Sequence, residues 1–294
     1  MSGPAERGPP VRVVAGALID ARGRVLIAER PAGKTFAGRW EFPGGKLMSG
    51  EAPRQALRRE LAEELGIEVE RAEPLLAVTH RYPAAAAPVL IDCWRVDSWR
   101  GEPAALDGQR LRWCTREALA EADILEADRP IVTALLLPRV FVHLEAAETV
   151  IERVATVPGG RERTAWLLHS VPDDSGVLRR LAEHGDLVIV IDPHAPPAGG
   201  VGCLYTAAHQ FAPAAHRHAP AGRVVHAASE ARQAQAAGAD FLVVPGGNLL
   251  REELRGIAAA GLPWYLDVTS PAAGSQPAPT GRLWWRAELP GAGL

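Results

Sequence analysis

Lysine is nearly absent from this chain. Of its 294 residues only Lys34 and Lys46 are lysine, against thirty arginines. Genome composition accounts for the general preference for arginine, which makes the positions of the two lysines informative. Cysteine is scarce as well. Cys93, Cys114 and Cys203 stand far apart, in neither a disulfide framework nor a zinc-ligand spacing, so a reducing compartment is expected. No strong excess of one charge sign exists. The net charge is −3 and the pI about 6.3, which excludes a basic field able to hold long nucleic acid or an anionic membrane. No apolar run reaches the roughly 18 residues of a bilayer span, and the opening MSGPAERGPPVRVVAG lacks the apolar core of a signal peptide. The expectation is a cytoplasmic protein with no membrane partner. What is present is ordinary globular usage, 47% hydrophobic and 23% charged, which excludes wholesale disorder. The length suits one large domain or two ordinary ones.

The first half reads as strands interrupted by one strong helix. Residues 11–20 and 24–29 are strand-like around Ala21-Arg22-Gly23, a hairpin pattern. Residues 52–65 are helical, with Leu57, Leu61 and Leu65 on one face and Gly66 as the stop. Further strands are expected at 69–81, 89–99 and 110–114, and helices at 115–121 and 129–136. The second half changes period. Strand-like runs recur at 139–143, 165–169, 187–192, 202–207, 223–227, 241–245, 264–268 and 283–286. Helical patterns lie at 175–184, 229–238 and 248–261. Strands alternating with helices predict βα units and a parallel sheet, and eight strands suit a barrel. The Pro/Gly-rich stretches 193–202 and 269–281 leave some of its helices missing. The join is expected near Leu137-Pro138.

The stretch that carries chemistry is GKLMSGEAPRQALRRELAEELGI, from Gly45 to Ile67. Glu60, Glu63 and Glu64 share one helix face at i, i+3, i+4 spacing, an arrangement that repels itself. Hard divalent cations offset such repulsion, and Mg²⁺ takes carboxylate oxygens together with substrate phosphates. Gly44 and Gly45 let the backbone come close to a metal or phosphate. Glu51, ahead of the helix, can reach back to the cluster, and Arg59 can hold the carboxylates in place.

Gly45, Glu51, Arg59, Glu60, Leu61, Glu63, Glu64, Gly66 and Ile67 match every defined position of G-x5-E-x7-R-E-U-x-E-E-x-G-U, and the stretch resembles the Nudix box. The resemblance implies an α/β/α sandwich and Mg²⁺-dependent hydrolysis of a nucleoside diphosphate linked to another group, with Mn²⁺ as a substitute cation. It implies Glu60, Glu63 and Glu64 as metal ligands, assisted by the Gly44 carbonyl, with Glu51 and Arg59 structural and orienting. The catalytic base can lie on the box helix or outside it. Flanking residues resemble the MutT-type 8-oxo-dGTP diphosphatases over about residues 11–137: LIAER at 26–30, RWEFPGGK at 39–46, Asp107-Gly108-Gln109 with Trp113, and LEADRP at 125–130. By position, Arg30 should touch the nucleotide phosphate or sugar, Phe42 should form the base pocket, and Lys46 approaches a phosphate. Asp107 stands where well-known members place a metal-binding Glu. Asp128 stands where they place an Asn that reads the oxidised guanine. An ionised Asp accepts hydrogen bonds and cannot donate, so it would accept from N1–H or N7–H of 8-oxoguanine, the latter a donor that ordinary guanine lacks. As a local reading, Asp128 is also a candidate N-cap before Arg129-Pro130.

In the second half, HAASEA at 226–231 and GADFLVVPG at 238–246 resemble the middle of thiamine phosphate synthase and its TenI relatives. The catalytic parts which that resemblance calls for are mostly missing. Ala165-Trp166-Leu167-Leu168-His169 replaces a Gln-x-Arg-x-Lys pyrophosphate run, Ile191-Asp192 replaces Asn-Asp, and Asp267-Val268-Thr269-Ser270-Pro271 replaces a Gly-Gly phosphate loop. Pro245-Gly246-Gly247-Asn248 is either an anion site at a helix N-terminus or a turn with Asn248 as N-cap. His216-Arg217-His218 lacks a Cys or carboxylate at ligand spacing.

The combined expectation is an α/β chain of two domains. Residues 1–137 form a Nudix α/β/α sandwich, and 138–294 form a (β/α)8-barrel-like domain with shortened or missing helices and no catalysis of its own. The substrate is a small nucleotide, 8-oxo-dGTP first; another nucleotide or a thiamine-pathway pyrophosphate is the alternative. A homodimer is a candidate assembly, and the sequence does not fix the oligomeric state.

Overall fold

The computed structural model describes residues 9–83, 85–138, 140–143, 164–168, 186–191, 202–205, 220–244, 256–257, 259–268 and 283–286. The chain divides into two compact units after Leu136.

In the first unit the elements run β1 (Val11–Leu18), β2 (Val25–Glu29), β3 (Trp40–Glu41), β4 (Gly44–Lys46), α1 (Pro53–Leu65), β5 (Glu68–His80), β6 (Val89–Arg100), β7 (Arg110–Cys114) and α2 (Arg116–Glu121), then a 3-10 turn (Glu126–Asp128) and α3 (Arg129–Leu136). They build a four-stranded mixed sheet, β4-β1-β6-β5, and a three-stranded antiparallel sheet, β3-β2-β7. Strand β1 lies between layers, and its alternating side chains show how. Val14 and Leu18 pack with Leu57, Leu61 and Leu65 of α1, while Ala15 and Ala17 pack with Ile131, Val132 and Ala134 of α3. Each of those three leucines is fully buried, worth about 1.5–3 kcal/mol relative to exposure. Pro53 opens α1 and Gly66 closes it in the left-handed region (φ 68°), its N–H donating to the Ala62 carbonyl at 3.0 Å.

The hairpin expected of residues 11–29 does not form. Its turn is present, but β1 and β2 enter different sheets and share only the bridge Ile19–Val25. Strand β1 instead runs parallel to β6 from Val11–Val89 to Leu18–Val96. A buried β-branched run satisfies either pairing, so the pattern alone does not select a partner.

The second unit contains β8 (Val140–His143), β9 (Thr164–Leu168), β10 (Leu187–Ile191), β11 (Gly202–Tyr205), β12 (Ala221–Val224), α4 (Ala228–Ala236), β13 (Phe241–Val244), β14 (Trp264–Val268) and β15 (Leu283–Arg286). The strand order closes on itself as β10-β11-β12-β13-β14-β15-β8-β9. The last strand departs from the all-parallel order of a (β/α)8 barrel. Strands β8 to β14 pair in parallel, but β15 is antiparallel to both β14 and β8. The sequence between β14 and β15, TSPAAGSQPAPTGR at 269–282, carries three prolines, a composition that disfavours the crossover helix a parallel return needs. Phe241 and Val243 pack inward with Ala165, Leu167, Ile189, Leu204 and Tyr265. Leu242 and Val244 face outward, under Ala231 and Ala234 of α4. Gly222 has to be glycine, since a Cβ there would lie 2.2 Å from the Phe241 ring. Residues 245–248, the histidines at 216 and 218, and the 175–184 helical pattern lie outside the described residues. His226 is exposed and its N–H donates to Glu230 at 2.7 Å, a contact that starts α4.

Candidate active site

Two glycines let the loop after β3 press onto its neighbours. Gly44 has φ 150°, and a Cβ there would sit 2.1 Å from the Val14 carbonyl oxygen. A Cβ on Gly45 would sit 2.3 Å from the Glu60 carboxyl. Any larger residue would push the backbone off β1 or displace Glu60. The Gly44 N–H donates to Glu64 Oε2 at 3.0 Å, tying the loop to the last turn of α1.

Arg59 organises the acidic face. Its Nε and Nη2 donate to the two Glu51 carboxylate oxygens, each at 2.9 Å, and Nη1 donates to Glu60 at 2.8 Å and to Glu63 at 3.3 Å. A second Nη2 bond, at 3.2 Å, reaches the Lys46 carbonyl. The guanidinium and the Met48 N–H hold the Glu51 carboxyl at about 2. The box carboxylates do not share one environment. Glu60 is 14% exposed and Glu63 60% exposed. Glu60 and Glu64 line the cavity, and Glu63 stands outside it beside Arg59. Burial pushes Glu64 up to about 7, opposed by the Gly44 N–H and reinforced by the nearby charges of Glu41, Glu60 and Asp107.

Segment 104–109 covers the end of α1. The N–H groups of Ala104 and Leu106 donate to the carbonyls of Leu65 and Glu64, and Gln109 Nε2 donates to the Glu64 carbonyl at 3.0 Å. Those bonds satisfy orphan carbonyls of the last turn and bring Asp107 to the acidic end of the cavity. Lys34 Nζ lies 3.9 Å from Asp107 there.

The other end of the cavity is apolar. β3 pairs with the segment ahead of the 3-10 turn, through Trp40 N–H to the Asp123 carbonyl (3.0 Å) and Leu125 N–H to the Trp40 carbonyl (2.9 Å). That pairing sets Asp128 against Phe42, whose N–H donates to Asp128 Oδ2 at 3.3 Å. Asp128 is 4% exposed. Burial pushes its carboxyl up to about 7, with the Glu41 charge adding to the shift and the Phe42 N–H and Arg30 opposing it. Between the two ends, Arg30 Nη1 pairs with Glu41 and Arg30 Nε donates to the Thr35 carbonyl at 2.7 Å. The whole cavity measures about 810 Å³, room for a drug-sized or nucleotide-sized ligand.

The NUDIX domain profile matches residues 9–135. The chain is 37% identical over 126 residues to the CTP pyrophosphohydrolase of Escherichia coli (strain K12), a match spanning 43% of this chain and 92% of that protein. The chain belongs to the Nudix hydrolase family. This Nudix chain is also 46% identical over 121 residues to the putative 8-oxo-dGTP diphosphatase 2 of Mycobacterium tuberculosis (strain ATCC 25618 / H37Rv), covering 40% of this chain and 82% of that one. Among solved structures, a MutT from work on Aliivibrio salmonicida and Vibrio cholerae aligns at 31% identity and a TM-score of 0.38, over 43% of this chain and 97% of the other.

Of the site residues expected from sequence, Arg30, Phe42, Gly44, Gly45, Lys46, Glu60, Glu64, Asp107 and Asp128 line this one cavity. Glu51, Arg59 and Glu63 form the ion-pair network behind it. Among the described residues no three His, Cys, Asp or Glu side chains converge at metal-ligand spacing. Glu60 is turned to Arg59 and Glu64 to the Gly44 N–H. Sequence reasoning missed Glu41, Tyr82, Lys34 and Phe36, all of which line the cavity. Lys34 had a signal: it is one of only two lysines, and both line the same cavity. Among the described residues no helix is long and apolar enough to cross a membrane.

Proposed function

We propose that residues 1–137 form a Mg²⁺-dependent nucleoside triphosphate pyrophosphohydrolase that cleaves 8-oxo-dGTP to 8-oxo-dGMP and pyrophosphate. One observation carries the reading. A single cavity joins a carboxylate end (Glu60, Glu64, Asp107) to an apolar end holding one buried acid (Phe42, Asp128). That division suits a ligand with a polyanionic tail and a flat head.

Nudix hydrolases in general depend on a divalent metal. The donors present fit a hard cation: every side-chain candidate is a carboxylate, and Glu64, lifted chiefly by burial and further by the charges of Glu41, Glu60 and Asp107, would be returned to its charged form by a cation. Glu60, Glu63, Glu64, Asp107 and the Gly44 carbonyl would hold it. Bound there, the metal would neutralise phosphate charge and activate water. The protein's own residues do the positioning. Arg59 and Glu51 brace the carboxylates from behind, Lys46 and Arg30 supply positive charge along the tail, and the Phe42 ring packs at the base end. Asp128 reads the base edge: ionised it accepts, protonated it also donates, and its carboxyl sits near the pH where both forms exist.

A second reading has support of its own. The E. coli relative is named for CTP, so a pyrimidine triphosphate is the competing substrate. Profiling the purified chain with Mg²⁺ against 8-oxo-dGTP, dGTP, CTP, ADP-ribose and thiamine pyrophosphate separates the readings. Equal turnover of 8-oxo-dGTP and dGTP ends the leading one.

For residues 138–294 the reading is a thiamine phosphate synthase/TenI-like barrel that serves as a binding or scaffold module. Its support is the 226–246 resemblance, the lack of any lysine in that half, and Ile191 in place of the expected Asn. Coupling of thiazole phosphate to the pyrimidine diphosphate by this protein would overturn the non-catalytic assignment. Light scattering checks the homodimer. The cytoplasmic assignment rests on the scattered cysteines, of which Cys93 and Cys114 are buried.

A further inference from the structure

Phe36 is an anomaly that the cavity accounts for. It is the one non-glycine residue with positive φ (63°) among the described residues. A bulky side chain in that region costs roughly 1–2 kcal/mol of backbone strain. Phe36 is still 38% exposed, so partial burial of the ring does no more than balance the strain. Local bonds hold the conformation in place. In the loop between β2 and β3, Arg30 N–H donates to the Arg39 carbonyl (2.9 Å), Gly38 N–H to the Arg30 carbonyl (3.0 Å), and Arg39 N–H to the Phe36 carbonyl (3.2 Å).

The strained backbone aims the ring at the cavity wall. Its centroid lies 4.8 Å from that of Tyr82, tilted by 36°, and both rings line the cavity. Tyr82 is itself backed edge-on by His80 at 4.5 Å and anchored by a backbone hydrogen bond at Ala127, next to Asp128. A half-open aromatic surface thus stands at the apolar end, where Phe42 and Asp128 lie. Lys34, two residues away on the same loop, reaches the acidic end instead.

We propose that Phe36 is a nucleobase-stacking residue, which with Tyr82 forms an aromatic wall against the base of the bound nucleotide. The inference rests on the nucleotide reading above and adds a recognition residue to it. Stacking of a base on an aromatic ring tolerates any base, so it supplies affinity for the nucleotide head and leaves base choice to hydrogen bonds.

The test uses the full chain with Mg²⁺ and two probes in titration calorimetry, the non-hydrolysable α,β-imido analogue of dGTP and inorganic tripolyphosphate. Tripolyphosphate has the tail without the base. In the Phe36→Gly and Phe36→Leu variants the analogue is expected to bind about tenfold more weakly, within the range known for one base stack. Tripolyphosphate affinity is expected to stay unchanged. Phe36→Tyr, which keeps a ring, restores analogue binding. The melting temperature separates recognition from a structural role: Phe36→Gly removes the φ strain and should not lower it, whereas a purely structural ring would. Unchanged analogue affinity, or equal weakening of both probes, overturns the proposal. If the unaltered chain binds the analogue no better than tripolyphosphate, the nucleotide reading itself has failed, which is a separate result.

Discussion

Each unit buries an aspartate, and the two are held in opposite ways. Asp186, ahead of β10, is 6% exposed and accepts from the Thr164 N–H and from Trp166 Nε1, both at 2.9 Å. Two well-placed donors of this kind make a buried carboxylate part of the scaffold, fastening β9 beside β10. Asp128 is as deeply buried, at 4%, but the hydrogen bond it accepts from Phe42 is long at 3.3 Å, and its carboxyl is pushed up to about 7. It lines a large cavity. The same residue type is a fastener where its bonds are strong; where the bond is long and a cavity adjoins, as at Asp128, it suits the reader's role proposed above. That distinction also separates the units. The second unit's described interior is filled with Leu, Val, Ile, Phe and Tyr. The first keeps buried or half-buried charge around empty space.

The largest expected effect lies at the acidic end of that space. Glu64→Gln should lower turnover at least about 100-fold by removing a charge that positions the cation, while binding of the nucleotide base is retained. Steady-state kinetics against 8-oxo-dGTP and dGTP would show it, and near-unaltered turnover would contradict the ligand role. Chelation of divalent metal should abolish hydrolysis in the unaltered chain and be reversed by Mg²⁺.

Breaking the fastener should have the opposite profile. Asp186→Ala leaves the Thr164 N–H and the Trp166 indole N–H without this acceptor in a buried place, at a cost of about 2–4 kcal/mol. Denaturant unfolding should show that loss in the second unit, with kcat/KM for the nucleotide unmoved. If hydrolysis fell in parallel, the contrast between fastener and reader would be wrong.

Asp128→Asn should alter the pH dependence of stability rather than remove it. The carboxyl is raised from an ordinary value of 3.8 to about 7 in the folded protein. Between those values the folded state binds the proton more tightly than the unfolded state, so stability falls as pH rises through the window and stays low above it. Three units correspond to at most about 4 kcal/mol. The amide does not titrate and still offers an acceptor to the Phe42 N–H. It should therefore flatten the fall between pH 4 and 7, measured as the difference between the two proteins' unfolding free energies. That difference cancels the contribution of Glu64, which titrates in the same direction.

The parts of this site that could be read from sequence are those carried by short-range spacing. The i, i+3, i+4 carboxylates and the leucines of α1 follow from a 3.6-residue period, and the Gly66 stop from glycine's freedom to take positive φ. What could not be read depends on pairing across distance. Strand β1 finds its partner in β6, so the predicted hairpin dissolves and an interior strand takes its place. Glu41, Phe36 and Tyr82 meet the cavity because β3 pairs with residues 123–125 and because the loop after β2 folds back on itself. No local pattern marks those approaches. The closing strand β15 belongs to the same class: its existence was legible, its direction was not.

The smallest expected effect is the sharpest test of how independent the two regions are. Every residue lining the cavity falls between Val11 and Asp128. The NUDIX profile falls at residues 9–135, within this half, and the 126-residue match to the E. coli relative spans 92% of that protein, so a chain of about this size makes a protein elsewhere. Removing residues 138–294 should therefore change kcat/KM by less than about twofold, under about 0.5 kcal/mol of transition-state stabilisation. A larger loss with an unchanged melting temperature would mean that the second unit reaches the chemistry directly. A larger loss together with a lower melting temperature would make it a scaffold for the first, one of the two roles proposed for it. Unchanged hydrolysis, stability and oligomeric state would remove that role and leave ligand binding as its remaining reading.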